Sequence, residues 1–215
     1  MLMHDEPFSA PSLMDGISVL HEIRLDQVLR RILATGARRV VDLGCGSGLL
    51  LHRLAVAAQF DTIVGLESCP RALAKARQLL ADHPGAPFPH VSLINGSYTE
   101  AQPALCDFDI AAMVETIEHV KPGVLSAVEQ SVFGQMRPRV IYLTTPNREY
   151  NPLFGLQPGE FREAGHKFEW DRAKFGRWAH GVARRNGYHV ALGGIGDEDR
   201  DLGPPTQTAY FSLVD

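Results

Sequence analysis

Val19, Leu20, Ile23, Leu25, Val28, Leu29 and Ile32 recur at helical spacing with charged residues between them, and Gly36 follows as a stop. That pattern predicts a helix over residues 18–33. The period then changes. Residues 39–43 and 62–67 are short apolar runs of the buried-strand kind, residues 49–58 return to helical spacing, and Pro70 opens a further helix through Leu80. Residues 90–94, 108–114 and 140–145 read as three more strands, with a helix near 123–136 before the last of them. A helix over about 171–186 then leads to strands over 188–192 and 207–213. Strands alternating with helices specify an α/β fold, a doubly wound seven-stranded sheet that is mostly parallel. No helix separates the last two strands, so the final strand is expected to be antiparallel at the far edge.

Two stretches escape these periods. Residues 1–17, with Pro7, Pro11 and Gly16, read as an N-terminal arm before a single domain over 18–215. Residues 146–170, rich in Pro, Gly and aromatics, form a loop long enough to carry function. With 215 residues, 45% apolar and 21% charged, the chain is an ordinary globular domain, which excludes disorder, collagen and coiled coil. Cys45, Cys69 and Cys106 lack the paired spacing of a disulfide framework or a thiolate zinc site. No apolar stretch is long enough to cross a bilayer, and the opening residues lack the basic and apolar regions of a signal peptide. A cytoplasmic enzyme is the expectation.

Charge changes this picture locally. The net charge is −4, yet residues 137–185 carry 10 Lys/Arg against 5 Asp/Glu. A basic segment inside an acidic chain can contact a few phosphates without coating a long duplex.

The first strand turns into the first helix through Asp42-Leu43-Gly44-Cys45-Gly46-Ser47-Gly48, where glycines allow a tight turn and a close ligand. Glu67 ends the second strand, where a carboxylate can accept both ribose hydroxyls of a nucleoside. The third glycine comes one residue early for a dinucleotide loop, giving G-x-G-x-G. S-adenosylmethionine has no pyrophosphate to be met by a helix dipole, so this spacing suits it better than a nicotinamide. After the fourth strand comes Glu115-Thr116-Ile117-Glu118-His119. On a helical turn Glu115, Glu118 and His119 would share one face, a donor set suited to Mg²⁺ or Mn²⁺. A capping carboxylate and a half-buried histidine are the plainer alternative.

The stretch over 42–48 resembles motif I of the Rossmann-like class I methyltransferases. That resemblance implies Asp42 and Gly44 beside the amino-acid part of the cofactor, Gly46 in the same loop, Glu67 on the ribose, and Asn95-Gly96-Ser97 by the adenine. A narrower resemblance rests on four motifs in order: Glu115-x-x-Glu118-His119, Thr145-Pro146-Asn147-x-Glu149-Tyr150-Asn151, His166-Lys167-Phe168-Glu169-Trp170 and Pro205-Thr206-Gln207. The opening Leu20-His21-Glu22-Ile23-Arg24-Leu25 is similar as well. Together they resemble the methyltransferase domain of the small-RNA 3′-terminal 2′-O-methyltransferases. The resemblance implies Glu115, Glu118, His119 and His166 as ligands of Mg²⁺ or Mn²⁺, with His119 or His166 as general base. It further implies an RNA 3′ end as substrate and a repair kinase, phosphatase or ligase as a possible partner. Two positions depart: Gly165 stands where the family has Asp before the second histidine, predicting a weaker metal site, and Asp171 stands where it has Thr.

The chemistry these residues imply is specific. A ribose 2′-OH is a poor nucleophile, and a divalent ion held by carboxylates and imidazoles can bind the terminal 2′,3′-diol and activate it. Phe154, Phe161, Phe168 and Trp170 could stack bases, although at least half of them are expected in packing, and Arg148, Arg162 and Lys167 could meet phosphates. The rivals are a metal-independent quinone-type O-methyltransferase and a methyltransferase fold that binds RNA without turnover.

Overall fold

The computed structural model describes residues 13–214. Helix α1 (Leu13–Leu33) precedes a regular alternation: β1 (Arg39–Leu43), α2 (Leu49–Ala55), β2 (Thr62–Glu67), α3 (Pro70–Ala81), β3 (Val91–Asn95) and β4 (Ile110–Val114). Then follow α4 (Leu125–Val128), β5 (Val140–Pro146), α5 (Arg172–Asn186), β6 (Tyr188–Ile195) and β7 (Thr206–Leu213). The seven strands lie in the order β3-β2-β1-β4-β5-β7-β6. β7 runs antiparallel to both β5 and β6, and the other pairs are parallel.

The strand order reverses direction of growth between β1 and β4, which opens a crevice at their carboxyl ends. Both faces of the sheet are covered. Leu43, Leu66, Met113, Phe133, Phe175 and Phe211 fill the core on the α5 side, while Val28, Ile32, Leu51, Leu54, Ile63 and Ile110 fill the side of α1 and α2.

Several boundaries differ from those expected. α1 begins at Leu13, five residues before the periodic apolar face, so part of the expected arm is helical; residues 1–12 lie outside the described residues. The helix expected over 123–136 is a 3-10 turn, one α turn and then a π-helix over Glu129–Met136. Gly134 in that stretch and the Arg137 left-handed cap mark where the wider winding ends. β6 continues to Ile195 because Gly193 and Gly194 keep pairing with Thr208 and Gln207. Asp171, the departure from the family threonine, is the N-cap of α5 and accepts from the Lys174 amide at 2.6 Å. Aspartate and threonine serve that position alike.

Candidate active site

The glycine loop passes under the crevice with positive φ at Gly44, Gly46 and Gly48. Gly44 has no alternative: a Cβ there would lie 2.2 Å from Thr116 Oγ1, on the segment after β4. The Tyr98 hydroxyl donates to the Thr116 carbonyl at 3.0 Å, closing the same junction. Glu67 Oε2 accepts from the Gly46 amide at 3.0 Å and Oε1 from the Cys69 amide at 2.7 Å. The carboxylate therefore stands at the end of β2 beside a cavity of about 310 Å³ lined by Gly44, Gly46, Glu67, Gly96 and Ser97. Asn95 donates to the Glu67 and Ser68 carbonyls instead of lining that space. A second cavity of about 460 Å³ shares Gly44, Gly46, Glu115 and His119 with the first and adds Asp42, Arg24 and His166. Asp42 is 2% exposed, and burial followed by the charge of Glu67 raises its carboxyl to about 7.

The segment after β4 is not a helical turn. Glu115 takes a left-handed φ of 49° and only Ile117–His119 form a 3-10 turn. The two carboxylates consequently diverge from the shared face expected of them. Glu115 Oε2 pairs with Arg24 Nη2 at 3.1 Å, and its Oε1 accepts from Thr144 Oγ1 at 2.8 Å. Glu118 is fully buried; Oε2 accepts from Thr145 Oγ1 at 2.9 Å, while Oε1 has no partner among the described residues. Burial, then the neighbouring Glu115 charge, pushes the Glu118 carboxyl well above the carboxylate range.

The loop over 146–170 folds back onto this segment. The Lys167 amide donates to the Glu118 carbonyl at 2.7 Å, which brings the His166 ring within 4.8 Å of the His119 ring, centroid to centroid. Ligand atoms of Glu118, His119 and His166 lie within 4.8 Å of one another. Glu115 stands outside this trio but lines the same cavity. A buried carboxylate grouped with two imidazoles, one of its oxygens without a hydrogen-bond partner among the described residues, is a donor set that fits a divalent cation. His119 sits at the rim, its imidazole made less basic by burial and by His166.

The loop is held from within. Glu169 Oε1 meets His166 Nδ1 at 2.6 Å and also accepts from the Arg162 amide at 2.8 Å, while Oε2 accepts from Asn151 Nδ2 at 2.6 Å. Burial opposes the Glu169 charge, yet the hydrogen bonds from His166, Asn151 and Arg162 hold its carboxyl below the ordinary value. Arg162 does not reach outward for phosphate. Its guanidinium donates to Asn151 Oδ1 and to the carbonyls of Pro205 and Asn147, and burial lowers it to about 10. Phe168 and Trp170 stack on each other inside the core, so only Phe154 and Phe161 of the four aromatics, with Arg148 and Lys167, remain accessible.

Residues 41–139 match the family profile described as a methyltransferase domain. The chain is 35% identical over 184 residues to the small RNA 2′-O-methyltransferase of Xenopus tropicalis, covering 81% of this chain and 50% of that protein. Its fold superposes on the crystal structure of the methyltransferase domain of a bacterial Hen1 with a TM-score of 0.81 and 34% identity, over 90% of this chain and all of that one. The chain belongs to the Hen1 family of small RNA 2′-O-methyltransferases. The crystal structure of the small RNA methyltransferase HEN1 matches with a TM-score of 0.86 and 29% identity, over 99% of this chain and 27% of that one. The chain spans half or less of the length of these curated relatives.

Set against the Hen1 family, the departure at Gly165 also falls against His119. A Cβ at 165 would lie 3.0 Å from His119 Nδ1, and the supporting carboxylate for His166 comes from Glu169. Glu169, Arg24 and Thr145 fall within the motifs that resemble the family, but residue type alone gives them no task. The i, i+3 spacing of His166 and Glu169 was the one available signal, and Tyr98 and Thr116 carried none.

Proposed function

We propose that this chain transfers a methyl group from S-adenosylmethionine to the 2′-OH of the 3′-terminal nucleotide of an RNA. The observation that carries this reading is the grouping of the buried Glu118 carboxylate with His119 and His166, of which the two histidines line the cavity that also holds Asp42, Gly44 and Gly46. Glu118, His119 and His166, with Glu115 alongside, would hold Mg²⁺ or Mn²⁺. Such an ion supplies Lewis-acid activation of a vicinal diol, which singles out a free 3′ end.

The remaining work belongs to the protein. Glu67 and Ser97 take the nucleoside end of the cofactor, with Gly46 in the loop between; Asp42 and Gly44 take its amino-acid end, and the methyl group is thereby aimed at the wall carrying His119. The 2′-oxygen forms its bond to the methyl carbon as the sulfonium C–S bond breaks, leaving S-adenosylhomocysteine. The hydroxyl proton passes to His119 or His166; His119 is the more open of the two, because Glu169 engages one nitrogen of His166. The family resemblance adds a repair kinase, phosphatase or ligase as partner.

The test is methyl transfer to a short RNA ending in a ribose or in a 2′-deoxyribose, with Mn²⁺ or with chelator. Transfer only to the ribose end, and only with the ion, is expected. Activity that survives thorough chelation overturns the metal reading in favour of a metal-independent O-methyltransferase, and RNA binding without transfer favours a binding module.

A further inference from the structure

Helix α5 leaves the site loop directly after Trp170 and carries Arg172, Lys174, Arg177, His180, Arg184 and Arg185 with no acidic residue. Two of these cations are already matched: Arg172 pairs with Glu149 at 2.7 Å and Arg185 with Glu129 at 2.7 Å. Lys174, Arg177 and Arg184 form no salt bridge among the described residues, and all three are exposed. Their spacing, with His180 between, follows the i+3 and i+4 rows of one helix face, at 1.5 Å per residue a stripe ~15 Å long. A face of like charges without counter-charges repels itself, and an acidic protein gains nothing from it in the folded chain alone.

The stripe starts just after the site loop ends at Trp170. The Arg148 amide donates to the Trp170 carbonyl at 3.1 Å, and Lys167, next to His166, is exposed at the same edge. From there α5 runs back across the sheet to Gly187, where Tyr188 begins β6 beside Pro138. A substrate whose 3′ end sits between His119 and His166 must lead its chain out over some surface. Exposed Arg148 and Lys167 on the site loop and Lys174, Arg177 and Arg184 on the helix that follows it offer a row of cations for that chain.

We propose that this face of α5 is the track for the phosphates preceding the 3′-terminal nucleotide of a single-stranded RNA. The inference rests on the RNA-end reading above and extends it from the terminal diol to the strand behind it.

The test is binding of a fluorescein-labelled 12-nucleotide single-stranded RNA, followed by anisotropy, to the wild type and to the triple variant Lys174→Gln, Arg177→Gln, Arg184→Gln. At moderate salt the variant is expected to bind at least tenfold more weakly. The slope of log affinity against log salt should shrink by about 2, from ~0.7 per released phosphate counterion on a single strand. Methyl transfer to a dinucleotide, too short to reach the stripe, and S-adenosylhomocysteine binding should stay at wild-type level. A variant that exchanges Lys and Arg at the three positions should restore binding, since charge and not shape is at work. Unchanged affinity and slope in the Gln variant overturn the track even if dinucleotides are methylated. Stripe-dependent binding by a wild type that methylates neither RNA would instead leave the track standing and overturn the proposed reaction.

Discussion

His166 Nδ1 and Glu169 Oε1 meet at 2.6 Å in a non-helical stretch, both side chains almost wholly buried. The carboxylate fixes which ring nitrogen of His166 is left for the cavity. Supporting carboxylates of this kind tune ligand histidines by ~10–100-fold in metal affinity. Glu169→Gln keeps the volume and the bond to Asn151 but loses the charge. Mn²⁺ affinity of the RNA-free protein, read by electron paramagnetic resonance, should drop within that range while S-adenosylhomocysteine binding holds. Equal Mn²⁺ affinity in both proteins would reduce Glu169 to a packing residue.

Glu118 makes metal a matter of stability as well as of activity. Its buried oxygen lacks a partner among the described residues, so chelation should lower the melting temperature of the wild type and Mn²⁺ should raise it, the ion stabilising the fold by ~2.7 kcal/mol at a hundredfold excess over Kd. Glu118→Gln keeps the volume and removes the carboxylate that would hold the ion. It should melt at or above the chelated wild type and ignore Mn²⁺. A variant that still responds to Mn²⁺ as the wild type does would move the ion elsewhere.

Gly44→Ala places a methyl 2.2 Å from Thr116 Oγ1 on a backbone at φ 84°. The backbone strain alone costs ~1–3 kcal/mol, and the collision must shift either the loop or the segment bearing Glu118. Loss of S-adenosylhomocysteine binding together with a fall in Mn²⁺ affinity is expected by calorimetry. Glu67→Ala should cost only cofactor affinity, by ~1.5–3 kcal/mol for bonds to a charged acceptor.

Asp42 should make cofactor binding depend on pH. Its carboxyl is raised to about 7, so the stability it lends the ligand-free fold is full below its unfolded value and is lost as pH rises through 7. A cofactor ammonium needs the carboxylate. Affinity for S-adenosylhomocysteine should therefore fall by about one log per pH unit below 7, and Asp42→Asn should bind weakly with that dependence gone. A flat profile in the wild type would separate Asp42 from the ligand.

What the sequence showed and what it hid follow from the range of the forces involved. β1 and β2 begin and end where their apolar runs do, because both strands lie central in the sheet with two covered faces. The glycine loop was legible for a similar reason: backbone geometry alone demands those glycines. The helical face expected for Glu115 is not formed, because its left-handed φ and its pairing with Arg24, 91 positions away, are tertiary facts. Arg162 looked like a phosphate contact by charge. Its partners Asn147, Asn151 and Pro205 lie on segments that meet only in the folded chain.

The place of β7 orders events in time. Pro205 accepts from Arg162 and from the Asn147 amide, and Gln207 Nε2 donates to the carbonyls of Pro146 and Trp170. The loop bearing His166 is thus stapled to a strand that is synthesised after it, yet lies between β5 and β6. During synthesis β1 to β4 can assemble the nucleoside-binding half while His166 still has nothing to lean on. A nascent chain acquires its ligand pocket well before it acquires its chemistry.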